Sequence, residues 1–199
     1  MPVPGKNIHT AYLAVGANLG DRIAGCREGV MRLAERGDVE IVHHSPYYYT
    51  EPVDYADQPW FVNAVCRVHT CLAPRFLLGR LKAVEATAGR NSGAVRFGPR
   101  VLDLDLIFYD QAVMQTRDLV VPHPRMHQRA FVLRPLYDIA ADLVHPVFRT
   151  CIREMLNDPE VAGQACFRVE DEAFCATATG RTAAGCETIG NSLYKRKGV

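Results

Sequence analysis

Ala11 to Gly16 (AYLAVG) is a short apolar run ending at a glycine, the pattern of a buried strand. Asn18-Leu19-Gly20-Asp21 then turns the chain and places Asp21 to cap a helix. Over residues 22–36, Ile23, Cys26, Val30, Leu33 and Ala34 recur at helical spacing, and Gly37 ends the run. Val39 to Tyr49 is rich in β-branched and aromatic residues and reads as one strand. A proline-punctuated loop follows over 51–59. Phe61 to Val68 then forms a strand antiparallel to the one before. Pro74 suits the first turn of a helix reaching Ala88, with Phe76, Leu77, Leu81 and Val84 on its apolar side. Residues 90–99 make a Gly- and Arg-bearing loop. Val101 to Tyr109 alternates as a strand, and a turn at Asp110-Gln111 returns a short hairpin strand. Pro122 and Pro124 break the chain before a helical turn at 126–130, and a mixed segment runs to His145. Thr150 is placed to cap a last helix bearing Ile152, Met155 and Leu156.

The order strand, helix, strand, strand, helix, strand predicts an α+β fold of ferredoxin-like type. Its sheet is largely antiparallel, with helices packed on one face. The domain is expected to span 1–160. Residues 161–199 form a C-terminal extension, small and polar after about Gly163 and expected to be poorly ordered.

Composition narrows the function without choosing it. The chain has 199 residues, enough to bury a sizeable core, and a formal net charge of +1, which gives no pull toward nucleic acid or anionic membrane. Only Lys6, Lys82, Lys195 and Lys197 among its 23 basic residues are lysines. Composition bias and selection for phosphate chemistry both account for that. Cys26, Cys66, Cys71, Cys151, Cys166, Cys175 and Cys186 make an odd set without close pairs, which argues against a disulfide framework. The N-terminal apolar run is too short for a signal peptide, and nothing approaches a membrane span. A reduced, cytoplasmic, soluble protein is expected.

The strongest chemical signal is GPRVLDLDLIFYD, residues 98–110. Asp103 and Asp105 share one strand face, about 7 Å apart, and repel unless a cation sits between them. Mg²⁺ suits that place, because it takes oxygen ligands from one or two carboxylates plus substrate phosphates. Taken alone, LDLDL is also the pattern of an amphipathic strand with a solvated face. Its surroundings change the picture: Arg90, Arg96, Arg100, Arg117, Arg125 and Arg129, with His123, lie in the same stretch. Carboxylates and arginine forks around a triphosphate are the equipment of phosphoryl transfer. No P-loop, dinucleotide fingerprint or Gly-x-Ser-x-Gly elbow is present. His123 and His127 flank a proline-bearing spacer without a further ligand, so structural zinc is not expected. Phe61 and Asn63 share a strand face after an aromatic-rich loop, and together suit a flat, polar heterocycle; core packing is the plainer explanation of such residues.

Four stretches in order, AYLAVGANLGDR, TEPVDYADQPWFVNAV, GRNSGAVRFGPRVLDLDLIFYD and VPHPRMHQRAFVLRPLYDIA, resemble the 6-hydroxymethyl-7,8-dihydropterin pyrophosphokinases of folate biosynthesis. The resemblance covers about residues 10–157. It implies transfer of pyrophosphate from ATP, the co-substrate, to the pterin alcohol, with release of AMP. By position, Asp103 and Asp105 would bind two Mg²⁺ ions, and Arg90 and Arg100 would act with them in catalysis. Glu85, Arg90, Phe97, Arg100, His123 and Arg129 would meet ATP. Phe61 and Phe131 would sandwich the pterin, with Asn63 and the backbone near Thr50 and Val53 reading its edge. Loops 51–60 and 89–99 would close as lids. Ala17 stands where the family commonly has serine, and Phe97 where it often has tryptophan. Association with the next folate-pathway enzyme is a further expectation, although 199 residues leave no room for it as a fused domain. Neither nucleic acid nor membrane is expected as a partner. An RNA-binding module on this fold would need a basic aromatic strand motif where this chain has DLDLIFY. A two-metal phosphohydrolase would share the aspartates without the aromatic pair.

Overall fold

The computed structural model describes residues 7–53, 55–89 and 98–169. Five strands and two helices build the frame: β1 (His9–Ala17), α1 (Arg22–Ala34), β2 (Val39–His44), β3 (Tyr48–Thr50), β4 (Phe61–Thr70), α2 (Pro74–Thr87) and β5 (Asp103–Tyr109). The sheet runs β5-β1-β4-β3 with β2 also on β4, and every pairing is antiparallel. This is the ferredoxin-like order expected of the sequence.

Alternation sorts the side chains into two layers. Leu13 and Val15 of β1, Ala64 and Cys66 of β4, and Leu104 and Leu106 of β5 face one side, under Leu33 of α1 and Leu77 and Leu81 of α2. The Asp21 carboxylate accepts from Ala24 N–H at 3.0 Å and so caps α1, as its position predicts. Gly29 lets α1 approach the sheet: a Cβ there would stand 2.6 Å from the Leu102 side chain. The other layer is not bare. Residues 130–140, expected as part of a mixed segment, form α3 (Ala130–Ala140), whose Val132, Leu133 and Leu136 cover Tyr12, Val65, Ile107 and Phe108. Pro135 inside that helix hides it from a reading by breakers, and packing against the sheet compensates for the missing N–H.

Four other expectations are corrected. The strand over 39–49 is broken: the Ser45 hydroxyl accepts from Val65 N–H (2.9 Å) in place of the ladder, and Pro46 has no N–H to give. The hairpin strand after Asp110-Gln111 does not return to β5. Instead β6 (Met114–Gln115) pairs with β7 (Val120–Val121) as a separate ribbon. Thr150 does not cap α4 (Ile152–Met155): its hydroxyl donates to Phe148 C=O, and Cys151 N–H donates to Glu154 at the helix start. The expected loss of order after Gly163 does not hold for the next residues. After α5 (Pro159–Ala162), β8 (Cys166–Arg168) adds an antiparallel edge strand to β3.

β5 carries one irregularity that matters for the site. Leu13 pairs with Leu106 but Tyr12 pairs with Phe108, so Ile107 is an extra residue, a bulge. Ile107 and Phe108 both enter the second layer, and Tyr109 returns to the first. Among the described cysteines none is bridged.

Candidate active site

α3 covers only part of the second layer. Beyond it, the same sheet face forms the floor of a cavity of about 250 Å³, where Ala14 and Gly16 of β1 leave room. Asp103 and Asp105 stand on this face of β5. Asp103 pairs across the sheet with Gly16, and Gly16 with Asn63 of β4, so carboxylate, gap and amide form one row. A Cβ at Gly16 would stand 2.5 Å from Asn63 Oδ1, and only glycine admits the amide in that position. Asn63 Nδ2 donates to Thr50 Oγ1 at 2.7 Å, which fixes the amide's orientation. Both residues are buried.

The walls come from elements on either side. His123 is set by its N–H on Ile107 C=O (3.0 Å), and its Nδ1 accepts from Arg125 N–H (3.2 Å). Burial lowers the His123 pKa, with Asp105 opposing that shift and Arg129 and Arg125 reinforcing it. Arg129 is 9% exposed and lies over the Phe131 ring, 5.2 Å from its centroid, at the start of α3. Arg100 Nη1 donates to Asp103 Oδ1 at 2.5 Å, which holds both side chains in place. Arg100 is itself anchored by Asn18 at the end of β1. Asn18 Oδ1 accepts from Arg100 N–H at 2.6 Å, and its Nδ2 donates to Gln58 and to Pro59 C=O.

Ten residues expected at the site therefore face one cavity: Thr50, Val53, Phe61, Asn63, Arg100, Asp103, Asp105, His123, Arg129 and Phe131. Glu85 does not line it. Glu85 is 1% exposed on α2, accepts Leu104 N–H at 2.7 Å on the open edge of β5, and pairs with Lys82. Burial raises its pKa, and the Leu104 hydrogen bond opposes the rise. Arg90, Arg96 and Phe97 lie outside the described residues, as does most of the expected second lid. Gly16 and Gln58 line the cavity, and Asn18 supports Arg100 behind it, none of them singled out by the sequence; Arg125, also lining, stands out there only as one of a group of arginines. Their roles depend on strand register and loop contacts, for which a single sequence carries little signal. Chemically, the cavity joins the Asp103 and Asp105 carboxylates and three arginines, equipment for a metal-bound phosphate chain, to an aromatic and amide surface suited to a planar heterocycle, with Glu51 on the rim of the latter.

Comparison with known proteins agrees with that geometry. The family model for 7,8-dihydro-6-hydroxymethylpterin-pyrophosphokinase matches residues 12–141. The 2-amino-4-hydroxy-6-hydroxymethyldihydropteridine pyrophosphokinase of Bacillus subtilis is 41% identical over 129 residues, covering 65% of this chain and 77% of that protein. The folic acid synthesis protein fol1 of Pneumocystis carinii is 41% identical over 136 residues, covering 68% of this chain. The chain spans 18% of that protein's length, and 24% of the mitochondrial folate synthesis bifunctional protein of Arabidopsis thaliana. Among solved structures, wild-type Plasmodium falciparum HPPK-DHPS with pteroate superposes with a TM-score of 0.62 at 14% identity, over 81% of this chain and 46% of that one; it shows the fold. With the family match running from β1 through β4 and β5 to the end of α3, this chain belongs to the 7,8-dihydro-6-hydroxymethylpterin-pyrophosphokinase family.

Proposed function

We propose that the chain transfers the β,γ-pyrophosphoryl group of ATP to the hydroxymethyl oxygen of 6-hydroxymethyl-7,8-dihydropterin, releasing AMP, as a step of folate biosynthesis. The observation that carries this reading is the row Asp103–Gly16–Asn63 across three adjacent strands. It sets a carboxylate and a ring-reading amide two strand spacings apart, roughly 10 Å, on the floor of one cavity. That separation suits an acceptor ring at one end and a phosphate chain at the other.

In this reading Phe61 and Phe131 stack on the pterin, while Asn63, oriented by Thr50, offers its amide to the ring edge and the backbone at Val53 completes the contact. Arg100, Arg129 and His123 bind phosphate oxygens, with Arg90 and Phe97 contributing from the segment between α2 and β5. Asp103 and Asp105 fit magnesium by their chemistry: two carboxylates from alternate positions of one strand, the remaining ligands being phosphate and water. Two bound ions are proposed, and they would neutralise charge on the phosphate chain. The protein's own contribution is positioning. Arg100 holds Asp103 in its rotamer, the buried Arg129 is fixed over Phe131, and the aromatic walls exclude water from the acceptor oxygen. We also infer a cytoplasmic enzyme that associates with the next enzyme of the pathway. The Arabidopsis relative is named bifunctional and the solved neighbours are HPPK-DHPS proteins, which supports such association. No helix among the described residues is long and apolar enough to cross a membrane.

The test is AMP release from ATP and Mg²⁺ with and without the pterin. Pterin-dependent AMP is expected, and Asp105→Ala should abolish it while leaving thermal unfolding in place. ADP as product, or AMP formed without pterin, would refute the acceptor and favour a phosphohydrolase. Near-normal turnover of Asp105→Ala at saturating Mg²⁺ would refute the metal assignment.

A further inference from the structure

The family match ends at residue 141, yet the chain beyond it returns to bond residues in and beside the cavity walls. Gln164 reaches the start of α3, where the N-cap residue Arg129 makes no side-chain cap of its own. Gln164 Oε1 accepts from Ala130 N–H at 2.8 Å, and its Nε2 donates to Gln128 C=O at 2.8 Å. One side chain thus brackets Arg129 from both sides, one residue short of Phe131. The Cys166 thiol adds a contact to Ala130 C=O at 3.9 Å, and burial raises its pKa to about 11, so it stays an S–H donor.

The same four-residue stretch holds the opposite wall. Ala165 N–H donates to Glu51 Oε1 at 2.9 Å, and Glu51 N–H to Ala165 C=O at 3.3 Å. Thr50, Asn63's partner, sits opposite Cys166 in the β3–β8 pair. Phe167 stacks on Trp60, with centroids 6.0 Å apart and planes 12° apart, immediately before Phe61. Glu51, Thr50 and Phe61 line the cavity from one side, and Arg129 and Phe131 from the other.

We propose that residues 164–167 form a strap tying the two walls of the cavity together, with Gln164 and Phe167 as positioning residues that set the spacing of Phe61 and Phe131 for a flat ring. This rests on the pterin reading above. A helix N-terminus capped from a distant segment, and an edge strand bonded to the loop that ends in Phe61, leave the two walls no independent way to separate. The strap touches neither Asp103, Asp105 nor Arg100, and reaches the phosphate side only through the backbone beside Arg129. It should therefore govern how tightly the ring is held more than it governs the phosphate chemistry.

Gln164→Leu in the full chain should raise KM for the pterin about tenfold and KM for ATP by clearly less, since an orphaned helix N–H and lost hydrogen bonds loosen the start of α3 that carries Phe131, while Arg100, Asp103 and Asp105 keep their own contacts. Gln164→Glu keeps an acceptor for Ala130 N–H and should restore most of the pterin affinity. Thermal unfolding of each variant separates this from loss of fold. Trp60 is the only tryptophan, so acrylamide quenching of its emission should increase in Phe167→Ala without any substrate present. An unchanged pterin KM in folded Gln164→Leu, equal losses in the Leu and Glu variants, or unchanged Trp60 quenching would overturn the strap. Absence of pterin-dependent AMP in the wild-type chain would instead sink the proposed reaction, and the quenching result would still decide whether the strap holds the loop.

Discussion

Asn63 lies so close over Gly16 that the smallest side chain would displace it. Gly16→Ala puts a Cβ 2.5 Å from Asn63 Oδ1 in the middle of a strand, where backbone shifts are costly. The expected result is loss of pterin affinity by tenfold or more, about 1.4 kcal/mol or above, read by calorimetric titration of the pterin; nucleotide affinity should change far less. Binding as tight as wild type would show that the amide has another acceptable position. At this scale the sequence was partly legible. Asp103 with Asp105, and Phe61 with Asn63, can be paired on one face from strand period alone, because two-residue alternation is local. Gly16 could not be read the same way. Its need for glycine arises from Asn63, which the β1–β4 register places opposite it. Glu85 is expected near ATP from the resemblance, yet its carboxylate turns to the edge of β5 rather than into the cavity, an orientation that helix spacing alone does not give.

Among elements, β5 stands at the rim of the sheet with β1 on one side only. Its other side carries open N–H groups, and Glu85 of α2 covers that of Leu104, between the two aspartates. Glu85→Leu leaves that donor unpaired beside Lys82, at an expected cost of about 1–3 kcal/mol, measured by chemical denaturation. A change under a few tenths would mean water replaces the carboxylate there. The helices α1 and α2 follow from apolar spacing, although Phe76, expected on the apolar side of α2, is 70% exposed, and Glu85 takes a buried place instead. α3 does not, because Pro135 normally ends a helix, and only packing on Tyr12, Val65 and Phe108 reveals why it continues. The break between β2 and β3 had a signal in Pro46, outweighed by the β-rich residues around it, and Ser45 takes over a ladder position there.

For the molecule as a whole, acidity is the lever the structure exposes. Burial lowers the pKa of His145, with His127 reinforcing the shift, and burial also lowers that of His44. His145 Nδ1 accepts from Val147 and Phe148 N–H groups at 3.2 Å, which requires that nitrogen to be unprotonated. The unfolded chain takes up these protons as pH falls through the ordinary value of 6.5, and the folded chain resists until lower pH. Stability is then complete above about 6.5 and declines below it. The unfolding temperature should fall between pH 7.5 and 5.5. His145→Asn, which keeps an acceptor but cannot titrate, should reduce that fall; an identical pH dependence would remove His145 from the account. The frame of the fold was readable because each element carries its own period. The pairing of β8 with β3 was not, since a short, half-exposed strand has meaning only beside its neighbour.

The extra residue at Ile107 works as a half-step in a screw thread. Ahead of it, β5 shows carboxylates to the cavity side of the sheet; behind it, the same strand must show Phe108 to that side and Tyr109 to the other, where its hydroxyl donates to Leu72 C=O. Without the half-step those two rings would trade places. The strand would then have to choose between presenting its aspartates to the cavity and seating its aromatics, so the spacing from Asp105 to Phe108 decides what the cavity floor can carry.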